Sequence, residues 1–213
     1  MTKQVVNKAL LDMAQPVLEP LGFKKKKGTD GWTFLKVTDF GYNEVILPVW
    51  QYGAISYVGA FFMVRLDVLN KVFLPFSSFV VKEDDQSMTL GADIGTFGYK
   101  DDHKIKTETP EELAAAIEML KGMMVDQGLP FFERFTTVAD VDKEFNRENR
   151  PKGLYCHDIT QRPVVALTAA ALNKNPAFDH WEKYYREALQ QATPVLKEKY
   201  ERLVVHLRQQ VLS

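Results

Sequence analysis

Four consecutive lysines, Lys24, Lys25, Lys26 and Lys27, stand between Phe23 and Trp32 in "GFKKKKGTDGWTF". Four ammonium groups beside an indole could hold phosphates while the ring stacks a base, the chemistry of a nucleic-acid or polyanion site. The same residues on a strand read differently. Strand side chains alternate between faces, so consecutive lysines put charge on both sides and neither side can be fully buried. That suits a short edge strand, where lysine discourages pairing with other chains. "GTDG" then supplies a hairpin turn to Trp32. The edge-strand reading is preferred. No second basic cluster of that density exists and the net charge is −1, so a basic site would have to be a local patch.

"VWQYG", residues 49–53, is the second candidate. On a strand Trp50 and Tyr52 share one face and Gln51 takes the other. A glutamine among core positions needs a partner for its amide, so Gln51 either lines a small pocket or ties down the neighbouring turn. "YCHDI", residues 155–159, sets Cys156, His157 and Asp158 side by side. A thiol nucleophile needs a base within reach and an orienter behind it. Adjacent residues rarely aim at one another, and the distant partners are His103, His180 and His206. The segment reads better as a junction holding an ordinary cysteine. "GADIGTFGYK", residues 91–100, fits neither the dinucleotide fingerprint nor the P-loop and reads as a tight loop. "KDDH", residues 100–103, lacks a second ligand cluster and reads as a solvated loop. No catalytic residue, metal ligand or cofactor is assigned.

The chain of 213 residues makes one large domain or two small ones. At 46% hydrophobic and 26% charged it has the composition of an ordinary globular protein. One cysteine excludes an internal disulfide and a cysteine-based zinc cage. The N-terminus shows no apolar core followed by a small-residue cleavage site, and the longest apolar run is "YVGAFFMV". It falls far short of the roughly 20 residues that span a bilayer. A soluble cytoplasmic protein with no membrane partner is the expectation.

These residues must be positioned by an α+β fold. Val6, Leu10, Met13, Val17 and Leu21 line one face of an opening helix; Pro16 kinks or splits it, and Gly22 ends it. Residues 32–39, 44–52 and 56–66 are rich in β-branched and aromatic residues, and their short connections make the pairing antiparallel. The second and third carry apolar groups on both faces, which predicts cover on both, at least in part. Further short strands are expected near 78–81 and 87–91. Thr109 and Glu112 have capping-box spacing with Pro110 at the first helical position, and "QGLP" ends that helix. A short helix from Thr137 to about 147 follows. Helices over about 162–173, 177–191 and 194–212 close the chain, a single helical-hairpin unit rather than a solenoid. The sheet is expected to have four to six strands. The polar stretch 146–153 divides an α+β domain, 1–150, from a helical C-terminal part, 151–213.

Three segments carry a resemblance: the helix running into "LGFKKKKGTDGWTF", the strand "VILPVWQ" with the long apolar strand after it, and "TPEELAAAIEMLKGMMVDQGLPFFERF". Over roughly residues 5–147 the chain resembles the bacterial family designated domain of unknown function 4304. The resemblance implies an α+β domain with an antiparallel sheet and supplies no catalytic residues. Since no catalytic motif stands out, the expected function is non-enzymatic binding of another protein, regulatory or immunity-like. Nucleic-acid or polyanion binding through Lys24–Lys27 is the first alternative. A small hydrolase or transferase near Cys156 and His157 is the second.

Overall fold

The computed structural model describes residues 1–28, 30–77, 87–99, 103–148, 155 and 161–211. Its contacts define two units, each built from two chain segments: Met1–Val64 with Gly91–Arg134, and Arg65–Leu90 with Phe135–Ser213.

The first unit opens with helix α1 (Lys3–Leu18), capped by Thr2, whose hydroxyl accepts from the Val5 amide. Its buried stripe is Val6, Leu10, Met13, Ala14 and Leu18. The helix runs through Pro16 and then tightens into a 3₁₀ turn, Glu19–Leu21. That tightening rotates Leu21 away from the stripe and leaves it 44% exposed. Gly22, at φ 89°, ends the helix, and the Phe23 amide reaches back to the Leu18 carbonyl.

An antiparallel sheet follows: β1 (Lys24–Lys27), β2 (Gly31–Thr38), β3 (Gly41–Tyr52), β4 (Ile55–Val58), β5 (Phe61–Leu66), β6 (Leu90–Asp93) and β7 (Ile105–Thr107). The spatial order is β1-β2-β3-β4-β7, and β5 pairs with both β3 and β6. Among the described residues the sheet has seven strands, above the expected four to six, for two local reasons. Gly59 and Ala60 divide the predicted strand 56–66 into β4 and β5. The three-residue β7, Ile105–Thr107, has too short an alternation to stand out in a polar context. The expected strand at 78–81 lies outside the described residues, while the chain before it forms helix α2 (Asp67–Phe73).

One face of the sheet is packed by α1, which lies on β2 and β3, and by α3 (Pro110–Met123), which lies on β7 and α1. Phe34, Val45, Leu47, Val49, Val58, Phe62 and Val64 point into this core and are essentially inaccessible. The alternate residues are not covered to the same degree. Burial along β3 and β5 strictly alternates over long stretches, so the sheet is buried on one face and half-exposed on the other. The partial cover of the second face agrees with the apolar residues that β3 and β5 carry there.

Helix α3 starts at the predicted capping box. Thr109 Oγ1 accepts from the Glu112 amide at 3.2 Å, and Glu112 accepts from the Thr109 and Glu108 amides at 3.2 and 2.6 Å. Those two backbone donors hold the Glu112 carboxyl below its ordinary value of 4.5. A depressed folded value stabilises the fold above the ordinary value, and this is lost as pH falls through the folded one. Thr109→Ala is expected to cost about 1 kcal/mol. Glu112→Gln should flatten the acid limb of stability against pH, read from urea midpoints across a pH series. An unchanged limb would show that the cap carries no charge-dependent stability.

"QGLP" does not end this helix. The chain widens into a π turn, Met124–Gly128, and continues as α4 (Leu129–Arg134). Pro130 has no N–H to give to the carbonyl four residues earlier, and the wider turn lets the helix pass that missing bond.

The second unit centres on α6 (Arg162–Leu172), in which Arg162 to Ala171 are all buried. A helix apolar nearly all round belongs inside a bundle. α2, α5 (Val138–Phe145), α7 (Phe178–Ala188) and α8 (Pro194–Gln210) pack around it, with α5 capped by the Thr137–Asp140 box. The ranges of α5, α6, α7 and α8 match the sequence expectation closely, whereas no helix was expected at α2. On α7 the buried stripe runs from Trp181 and Tyr185 to Leu189. Of the polar stretch 146–153, residues 149–153 lie outside the described residues.

Candidate functional site

Lys24–Lys27 forms the terminal strand of the sheet, and all four side chains are exposed. The register is Lys24 opposite Leu35, Lys25 opposite Phe34, Lys26 opposite Thr33 and Lys27 opposite Trp32. Directly opposed residues share a face. Lys25 and Lys27 therefore lie on the helix side, and Lys24 and Lys26 on the half-exposed side. Lys25 is engaged by α1 and the turn after it: Nζ donates to Gln15 Oε1 at 2.8 Å and stands 3.4 Å from Glu19. The four ammonium groups do not converge on one point.

Trp32 belongs to the helix side. Its Nε1 donates to the Asn7 carbonyl of α1 at 3.0 Å, which fixes the ring as a brace between helix and sheet. Gln51, also on that side of β3, is exposed rather than a core position. Its amide donates to the Met1 and Gly53 carbonyls, both at 3.3 Å. It ties the β3–β4 turn to the chain start.

Trp50 and Tyr52 face the other way, and here the structure gathers a group that the sequence reading did not assemble. The two-residue turn Gly53-Ala54, with Gly53 at φ 62°, sets Trp50 opposite Tyr57 and Tyr52 opposite Ile55. Tyr52 and Tyr57 meet edge to face at 5.7 Å between ring centres. Trp50 meets Phe61 at 6.3 Å and His103 at 5.8 Å, and Phe61 meets His103 at 6.1 Å. These are the separations of favourable aromatic pairs. Gly59 makes the close packing possible. A Cβ there would stand 2.6 Å from the His103 carbonyl oxygen and 3.2 Å from the Trp50 ring. Trp50, Tyr57, Phe61 and His103 are half-exposed and Tyr52 is 60% exposed. The alternation of β4 read against β3 across Gly53-Ala54 is the signal that pairs Trp50 with Tyr57. His103, distant in sequence, carries no such signal.

Charges border the rings. Lys104 Nζ lies 5.2 Å from the Tyr57 ring centre, a cation–π distance. Lys106, opposite Tyr57, pairs with Glu108 at 2.7 Å, and that hydrogen bond raises its pKa. Towards the other edge, Glu44 stands opposite Leu35 on the same face as Lys24 and Lys26. Burial pushes the Glu44 carboxyl above its ordinary value, while Lys26 pulls it the other way.

The remaining candidates are placed as follows. Cys156, His157 and Asp158 lie outside the described residues, as do Lys100, Asp101 and Asp102. His180 stacks against Trp181 and His206 against Phe76, each within the second unit. Residues 91–93, expected as loop, belong to β6, and the tight loop is confined to 94–99. Asp93 Oδ1 accepts from the Thr96 amide and hydroxyl, and the Tyr99 amide returns to the Ile94 carbonyl. Among the described residues no group of His, Cys, Asp or Glu is arranged to hold a metal ion, and no helix is long and apolar enough to cross a membrane. The grooves along α8, at Phe76 and Val205, and at Tyr200 and Leu189, are lined mainly by charged and amide side chains of helix surfaces.

No protein-family model matches the chain, and no curated protein or solved structure matches it.

Proposed function

We propose that this is a non-enzymatic binding protein that engages another protein through the half-exposed face of its first unit's sheet. The observation that carries the reading is the tract of five rings, Trp50, Tyr52, Tyr57, Phe61 and His103, standing on that face rather than in the core. Aromatic side chains held rigid by a sheet supply large contact area at low entropic cost, and such residues dominate protein interfaces. A regulatory or immunity-like role in a bacterial cytoplasm fits such a surface. The likeness to the family of domain of unknown function 4304 belongs to the same proposal and brings no catalytic residue with it.

Truncating an interface aromatic at a hot spot costs about 2 kcal/mol or more of binding. Trp50→Ala is therefore expected to weaken partner capture by at least about thirtyfold, with Tyr57→Ala close behind. The measurement is native pull-down from the source lysate, followed by titration of the recovered partner against wild type and both variants. Trp32→Phe, on the helix side, is the control and should leave capture intact. Undiminished capture by Trp50→Ala and Tyr57→Ala would remove this face as the site.

A further inference from the structure

We infer that the partner is acidic: a protein segment that lays apolar side chains on the rings of this face and sets carboxylates on the lysines at its two ends. The inference rests on the binding reading above and adds the chemistry of the occupant.

The argument is charge complementarity, read from the whole face. On the β7 side stand Lys104 and Lys106; on the β1 side stand Lys24 and Lys26. The carboxylates beside these lysines are Glu44 on β3 and Glu108 just after β7; Asp93 of β6 is buried and accepts from Thr96. Glu108 is taken by Lys106 at 2.7 Å. Glu44 is half-buried between strands, with Lys26 as its nearest attractive charge. That leaves Lys24 and Lys104 with no carboxylate partner among the described residues, at opposite ends of a surface whose middle is aromatic. The Lys104 ammonium sits against the Tyr57 ring, which orients it without neutralising it. A partner that brings its own carboxylates completes both ends; one that brings lysine or arginine meets like charge at both.

The same inventory weighs against a nucleic acid as the occupant. Each neutralised phosphate contributes a salt slope of about 0.9. Lys25 and Lys27 lie on the helix side, and Lys106 and Lys26 already face carboxylates. The face then has too few unmatched cations for a phosphate track, and Glu44 stands within it. Four lysines adjacent in sequence become two on this face because a strand alternates.

The test uses the full chain and three labelled probes of equal length, followed by fluorescence anisotropy. One is a peptide alternating glutamate with leucine and tryptophan; the second has every glutamate replaced by lysine; the third is oligo(dT). The expected result is binding of the acidic peptide, weakened about tenfold by Lys24→Ser with Lys104→Ser and by added salt, with the basic peptide at least tenfold weaker. Trp50→Ala should abolish it. Equal or tighter binding of the basic peptide overturns the inference, and so does oligo(dT) binding tighter than the acidic peptide. Absence of all binding at millimolar probe overturns it as well. The two readings fail separately. If Trp50→Ala weakens the probes while the lysine changes do nothing, the face stands as the site and the acidic partner falls. If the lysine changes act and Trp50→Ala does not, the aromatic face falls.

Discussion

Gly128→Ala is expected to destabilise the protein by about 1–3 kcal/mol, although alanine is the better helix former. A Cβ at this position would fall inside van der Waals contact of Phe62 Cε1, Cδ1 and Cζ. Phe62 has no room to withdraw. It is fully buried, with the Phe97 ring at 5.5 Å and the Phe132 ring at 6.1 Å. The propensity gain from removing a glycine is about 1 kcal/mol and works in the other direction. The clash must exceed it, because the atoms met are ring atoms in a packed core rather than the end of a mobile side chain. Urea unfolding of Gly128→Ala, Phe62→Leu and the double variant gives the decisive comparison. Each single change should cost stability, and the double should cost less than their sum, since the smaller side chain makes room for the methyl. A neutral or stabilising Gly128→Ala would mean that the helix and β5 do not approach this closely.

The other large effect belongs to the second unit. Asp142, 3% exposed at the end of α5, has a carboxylate held by side-chain amides. Asn146 Nδ2 and Asn173 Nδ2 donate at 2.6 Å, and Asn175 Nδ2 reaches both oxygens at 2.9 and 3.0 Å. The network continues outward. Asn146 also donates to the Ala166 carbonyl of α6, and the Tyr185 hydroxyl of α7 donates to Asn146 Oδ1 and to the Phe145 carbonyl. One carboxylate thus fastens the end of α5 to the turn between α6 and α7. Asp142→Ala removes the acceptor and leaves the donors behind, and an unmet donor in a buried site costs about 1–3 kcal/mol. Asn173 and Asn175 are near enough to solvent to recover water, so the expected loss is about 2–4 kcal/mol rather than the full sum. Asp142→Asn keeps the shape but turns one acceptor into a donor facing donors, and should recover little. Equilibrium unfolding together with amide exchange at Phe145 and Asn146 checks both. Near-wild-type stability in Asp142→Ala would show that water replaces the carboxylate without loss.

The helices of the second unit were the most legible part of the chain. α6 is apolar nearly all round, α7 and α8 are periodic, and they are bounded by Pro163, by Asn175 with Pro176, and by Thr193 with Pro194, so pattern and punctuation agreed. The capping boxes at Thr109 and Thr137 were equally plain, because a cap is a local arrangement of side chain and backbone. Local rules failed where the deciding partner is remote. Nothing near Gly128 in sequence shows that Phe62 fills the space a side chain would need. Pro130 reads as a stop, yet packing carries the helix through by way of a wider turn. Leu21 continues the stripe on paper and leaves it in space, because one tightened turn changes its bearing. Two of the five rings of the candidate site were readable: Trp50 and Tyr52 on one strand face. Tyr57 follows once the turn at Gly53-Ala54 fixes the register. Phe61 and His103 join through the break at Gly59 and the placement of β7, which only tertiary pairing sets.

Each unit is assembled from two separated stretches of chain, and this restricts how the molecule can be dissected and how it can be made. The polypeptide passes between the units at residues 64–65, 90–91 and 134–135. No single cut releases either unit whole. A fragment ending at Val64 has α1 and the early strands but not α3, α4 or β7, which close their core. On the ribosome the first unit stays incomplete until Arg134 has emerged, with much of the second unit's α-helical sequence still to come. Proteolysis at one site should therefore leave two pieces that remain associated or unfold together, and expression of either piece alone should yield protein that does not fold.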